Sequence, residues 1–114
     1  MDGLHPKSEI SGTCWIEFNI GGTPDFYVHW LDTSLYASLK NMGRVYAVFS
    51  LCIEGFSLYG PLFLDQEKLT QLCSMLDGFA STTASVPAGK FAQELEAFLR
   101  SCNERADPVW MLGV

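Results

Sequence analysis

Basic residues are scarce in this chain: seven Lys and Arg stand against thirteen Asp and Glu, a net charge of −6 with histidine neutral. A domain of that sign repels phosphate backbones, which argues against nucleic acid as a partner. Long apolar runs are missing too. The longest, residues 45–53, is broken by Ser50 and followed by Glu54 and Gly55, far short of the ~20 residues a membrane helix needs. The opening Met-Asp-Gly-Leu-His-Pro-Lys has neither a basic n-region nor an apolar h-region, so no secretory signal and a cytoplasmic location are expected. Cys14, Cys52, Cys73 and Cys102 form no C-x-x-C pair, which excludes zinc-ribbon and thioredoxin-type motifs. Each lies in an apolar stretch and reads as a small buried hydrophobe rather than half of a disulfide. The ten glycines include no G-x-G-x-x-G and no G-x-x-x-x-G-K, the two loops that cradle phosphates.

What is present is a folding composition. Of 114 residues, 48% are hydrophobic and 18% charged, against a usual ~25% charged. Disorder needs the opposite balance, and the length suits one domain spanning residues 1–114.

Residues 1–12 are polar, hold Gly3 and Pro6, and read as a loose lead-in. Residues 13–20 alternate as a strand does, with Cys14, Ile16, Phe18 and Ile20 on one face and Trp15, Glu17 and Asn19 on the other. Residues 21–25 form a turn by composition and residues 26–31 a second strand, which completes a hairpin. Asp32-Thr33-Ser34 followed by Leu35, Leu39 and Met42 predicts a short helix stopping at Gly43, with an irregular crossing loop as the rival. Residues 44–53 carry the strongest β composition, and residues 56–64 return as a strand that Gly60-Pro61 confines to an edge or a bulge. Asp65 then caps a helix over residues 66–80 with the stripe Leu69, Leu72, Cys73, Leu76 and Phe79. Residues 81–85 are loop. Residues 87–103 make a second amphipathic helix through Phe91, Leu95, Phe98, Leu99 and Cys102, with Glu94 and Glu96 facing out. Residues 108–114 are an apolar tail that packs on its own domain, adds a strand at a sheet edge, or serves an interface.

Strands followed by helices predict an α+β fold: a four-stranded, mainly antiparallel sheet with the two C-terminal amphipathic helices packed on one face. The other face would then stay open, presenting Trp15, Glu17, Tyr27, His29 and Tyr46.

No constellation here names a reaction. His29 is a lone strand histidine, and Cys52 has no nucleophile-elbow context to pair with it. The densest acidic spot, Asp65-Gln66-Glu67, reads as a cap plus first-turn charge rather than a metal site. No catalytic residue, metal or cofactor is assigned. Glu17, Asp25, Asp32 and Glu54 read either as solvated turn acids or as an acidic recognition patch. Together with Trp15, Tyr27, His29, Tyr46 and the tail's Trp110 they are the candidate partner-binding residues.

The strand segment Phe56-Ser57-Leu58-Tyr59-Gly60-Pro61-Leu62-Phe63-Leu64 runs directly into the Asp65-capped helix of Leu69, Leu72, Leu76 and Phe79. In this layout, in size and in acidity, the chain resembles the small immunity proteins that bacteria pair with secreted polymorphic or contact-dependent toxins. The resemblance carries no signature residue. It implies a non-enzymatic protein that neutralises a basic toxin domain through an acidic and aromatic surface, where charge complementarity speeds and selects association. The alternative is a homodimeric secretion chaperone or adaptor, also small and acidic. A small ligand-binding domain or enzyme centred on His29 comes third.

Overall fold

A computed structural model describes residues 3–12, 14–21, 33–58 and 60–113. Within them the chain forms an antiparallel sheet with helices, the α+β class expected, but the sheet has five strands rather than four.

The six-residue strand β2 (Trp15–Ile20) sits at its centre. Strand β3 (Leu35–Ser38) pairs with it on one side and β5 (Val109–Leu112) on the other. Strands β1 (Leu4–Pro6) and β4 (Leu62–Leu64) complete the order β1-β3-β2-β5-β4. Register follows the side-chain alternation of period two. Leu4, Ala37 and Ile16 stand opposite one another, as do Leu35, Phe18, Met111 and Leu62. All of them belong to, or pack against, the main hydrophobic core.

Helices α3 (Gln66–Thr82) and α4 (Val86–Glu104) cover that face, joined by residues 83–85. The sequence signals hold here. Asp65 accepts the Lys68 N–H at 2.9 Å and Ser85 accepts that of Ala88 at 3.3 Å, each relieving an orphan helix donor. The Leu69, Leu72, Cys73 and Leu76 stripe is buried, and so are Phe91, Leu95, Leu99 and Cys102. Phe98 of α4 meets Phe18 of β2 edge-on, with ring centroids 6.0 Å apart.

Four expectations need correction. The first concerns the lead-in expected over residues 1–12, whose described part, residues 3–12, is not loose. Leu4–Pro6 pairs with β3, Leu4 is 1% exposed, and a 3₁₀ turn follows over Lys7–Glu9. Glu94 does not face out but reaches back, its Oε2 accepting the N–H groups of Gly3 (2.8 Å) and Leu4 (2.7 Å). Gly3 allows this close approach, since a Cβ there would lie 2.5 Å from the Phe91 ring.

The second concerns the segment before Gly43, which is neither a helix throughout nor an irregular loop. Leu35–Ser38 is strand β3, and helix α1 (Leu39–Arg44) begins only at Ser38, whose hydroxyl accepts the Asn41 N–H at 3.1 Å. Leu35, Leu39 and Met42 match a helical spacing, yet Leu35 and Ala37 alternate with Tyr36 just as well.

In the third, residues 44–53 form a helix, α2 (Tyr46–Cys52), and not a strand. Val45, Val48, Phe49 and Ile53 are buried at helical spacing, whereas Leu51, on the expected strand face, is 77% exposed. The β-branched and aromatic composition gave way to packing against α3, where the Cys52 thiol meets the Met75 sulfur at 3.0 Å.

The fourth is residues 56–64, where among the described residues only Leu62–Leu64 is strand, at a sheet edge and starting directly after Pro61.

The apolar tail is core. Strand β5 lies between β2 and β4 with all four residues buried, so its place is inside the sheet and not at an edge. The expected strand at residues 26–31 and residues 22–25 of its turn lie outside the described residues; within them, the partners of β2 are β3 and β5.

Candidate functional site

The candidate partner-binding residues separate into two places, and Asp25, Tyr27, His29 and Asp32 lie outside the described residues.

Trp15, Glu17 and Trp110 share the sheet face opposite the main core. Cross-strand register sets His5, Tyr36, Glu17 and Leu112 in one row and Asn19, Trp110 and Phe63 in the next. This face is not open as expected. Glu17 is 4% exposed, Asn19 2%, Tyr36 1% and Trp110 7%. Ser34, also buried, donates its hydroxyl to Glu17 Oε2 at 2.9 Å. Burial above all, then the nearby Glu17 charge and its hydrogen bond, push the Tyr36 phenol up to about 12, while a Ser34 hydrogen bond pulls the other way. At the rim Trp15 is half-buried, gives its indole N–H to Ser11 O at 2.8 Å, and meets the His5 ring edge-on at 5.4 Å. Trp110 packs on Phe63 with centroids 5.2 Å apart. An inward carboxylate bonded to a hydroxyl beside a protonated phenol is a buried polar layer, and it presents no charge to a partner.

Tyr46 and Glu54 lie elsewhere, on α2 and just after it. Tyr46 is 41% exposed and rests on Phe56, ring centroids 5.4 Å apart, its hydroxyl 3.4 Å from Phe56 O. Tyr46, Ala47, Ser50, Leu51 and Glu54 are all exposed and form the outward side of α2. Leu51 and Cys52 also line a groove shared with Thr70, Gln71, Ser74 and Met75 of α3. One turn before Thr70, Glu67 is exposed as well. The exposed side of α2 thus carries Tyr46 on one flank and Leu51 on the other, and across the groove from Leu51 stand hydroxyl and amide groups of α3. It can dock a side chain or helix of another protein.

Leu51 is the member the strand reading hid. Spacing of Val45, Val48, Phe49 and Ile53 at 0, 3, 4 and 8 already places Leu51 on the outside of a helix. Ser34 and Tyr36 were likewise masked by the helix expected over residues 33–42.

Cys73 and Cys102 are buried hydrophobes as expected. Cys14 is exposed, however, and Cys52 half-buried. Burial raises the thiol pKa of Cys52, Cys73 and Cys102, Cys73 to about 11 with a further push from the Glu96 carboxylate, so none of these three is poised as a nucleophile. No group of His, Cys, Asp or Glu suited to hold a metal occurs among the described residues, and no helix among them is long and apolar enough to cross a membrane.

Comparison with protein-family models, curated proteins and solved structures returns no match for this chain.

Proposed function

We propose that this chain is a non-enzymatic protein-binding domain, of the kind that neutralises a basic bacterial toxin domain by occupying it. One observation carries the reading: the exposed outer side of α2, with Tyr46 on one flank, Leu51 on the other and Glu54 just beyond the helix end. Exposed apolar side chains beside the Glu54 carboxylate suit a cationic partner surface, and the chain's net charge of −6 adds long-range attraction. Tyr46 is the residue type that most often anchors such contacts. The docking element differs from the one the sequence suggested, because the aromatic sheet face is buried and the outer side of α2 is not.

Co-expression with the product of the neighbouring gene tests this. The expected outcome is a complex that survives size-exclusion chromatography and that Leu51→Asp weakens by about tenfold or more, about 1.4 kcal/mol or more, without lowering the thermal midpoint of the free protein. Failure to form a complex, or a complex indifferent to Leu51→Asp, rules the reading out. Light scattering on the free protein distinguishes the homodimeric chaperone or adaptor, for which Leu51→Asp would split a dimer.

A further inference from the structure

The start of α4, helix α1 and the N-terminal backbone enclose a cleft of about 610 Å³. That volume falls within the range of small-molecule sites, roughly 300–1,000 Å³. Its apolar wall is Val86, Pro87 and Phe91, and Val86 is 67% exposed. Two cations from different elements line it, Arg44 and Lys90.

Those cations are available. Lys68, Arg100 and Arg105 are taken by Asp65, Glu96 and Asp107, but Arg44 and Lys90 make no ion pair among the described residues. Arg44 gives one N–H to Asn41 Oδ1 at 2.6 Å, which orients the guanidinium and leaves its remaining donors for a ligand. The end of α4 supplies little itself. Ser85 already takes the Ala88 and Gly89 N–H groups, and Pro87 has none. Among the described residues that line the cleft, the third charged group is Glu94, whose carboxylate is held by the N–H groups of Gly3 and Leu4. Among these described residues, two positive charges against one negative are balanced by a single anionic charge. A dianion would face Glu94 with an uncompensated charge.

We propose that this cleft binds a small monocarboxylate with an apolar body, its carboxylate met by Arg44 and Lys90 and its hydrocarbon portion laid over Val86, Pro87 and Phe91. The site is separate from the outer side of α2 and does not depend on the docking reading.

The test is an NMR titration of the isotope-labelled full chain with phenylacetate, with phenylacetamide and inorganic phosphate as controls, at a pH far enough above neutrality that phosphate is the dianion. Saturable shifts are expected at the amides of Arg44, Lys90 and Phe91, with phenylacetamide and phosphate at least tenfold weaker. Lys90→Gln, at an exposed position that carries no fold contact, should weaken phenylacetate about tenfold, and Arg44→Gln by at least as much. Absence of saturation refutes the site. Equal binding of phenylacetamide reduces it to an apolar cleft, equal binding of phosphate contradicts the single-charge argument, and indifference to Lys90→Gln removes its cationic half; each of these overturns the proposal.

Discussion

At the scale of single residues, Tyr36 shows how placement alone sets a proton's affinity. Its phenol is 1% exposed beside Glu17, so ionising it would put a second negative charge into a dry layer. The folded protein therefore holds this proton to about 12, while the unfolded chain releases it near 10. Between those values the folded state binds more protons, so stability falls as pH rises. The contribution is complete below about pH 10 and is lost as pH climbs through about 12. Urea unfolding across this range should show a steep alkaline loss in the wild type and a shallower one in Tyr36→Phe. The buried thiols titrate in the same direction in both proteins, so the comparison isolates the phenol. Equal slopes would show that Tyr36 is solvated. Neither this residue nor Ser34 was legible as a polar pair with Glu17. Pairing across strands depends on register, and the sequence spacing of 17 and 36 carries none.

At the scale of elements, legibility followed length and capping. Helices α3 and α4 have a cap residue, a sustained 3.6-residue stripe and some five turns each, and they were readable to within two residues at every end. Helix α2 has seven residues and no side-chain cap. Over so short an apolar run, periods of 2 and 3.6 select overlapping residues, and composition tips the reading toward strand. Strand β1 is three residues long and contains Pro6, so no periodicity could reveal it. The end of α4 carries a quantitative expectation. Ala106 sits at φ 58°, with its N–H on Asn103 O at 3.0 Å and the Asp107 N–H on Cys102 O at 2.9 Å. This is a Schellman termination, a position glycine fills without the side-chain penalty of about 1–2 kcal/mol for the left-handed conformation. Part of that gain is offset by glycine's greater freedom in the unfolded chain. Ala106→Gly should therefore raise unfolding free energy by about 0.5–1 kcal/mol in denaturant titrations; a loss of stability would mean that the termination is not strained.

At the scale of the whole molecule, the decisive element is the last one. Val109, Trp110, Met111 and Leu112 are each at most 7% exposed, and β5 is the strand that joins β4 to β2. Burying one large apolar side chain contributes ~1.5–3 kcal/mol, and typical domains have only about 5–15 kcal/mol in all. Deleting residues 108–114 should leave no cooperative thermal transition. A truncated protein that still melts near the wild-type midpoint would return the tail to the interface role that its sequence also allowed. The sheet order has a further consequence for how the molecule is made. Glu17 pairs with Leu112 across almost the full length of the chain, so the central strand must wait for residues 109–112 to leave the ribosome. The α3–α4 hairpin is synthesised earlier and can form from local contacts, but until then β4 has no neighbour and one edge of β2 is bare. Such distant pairings slow folding, and an unpaired strand edge invites another chain. The nascent protein is therefore most exposed to misassembly until residues 109–112 have emerged, and a chaperone that shields strand edges would matter most in that interval.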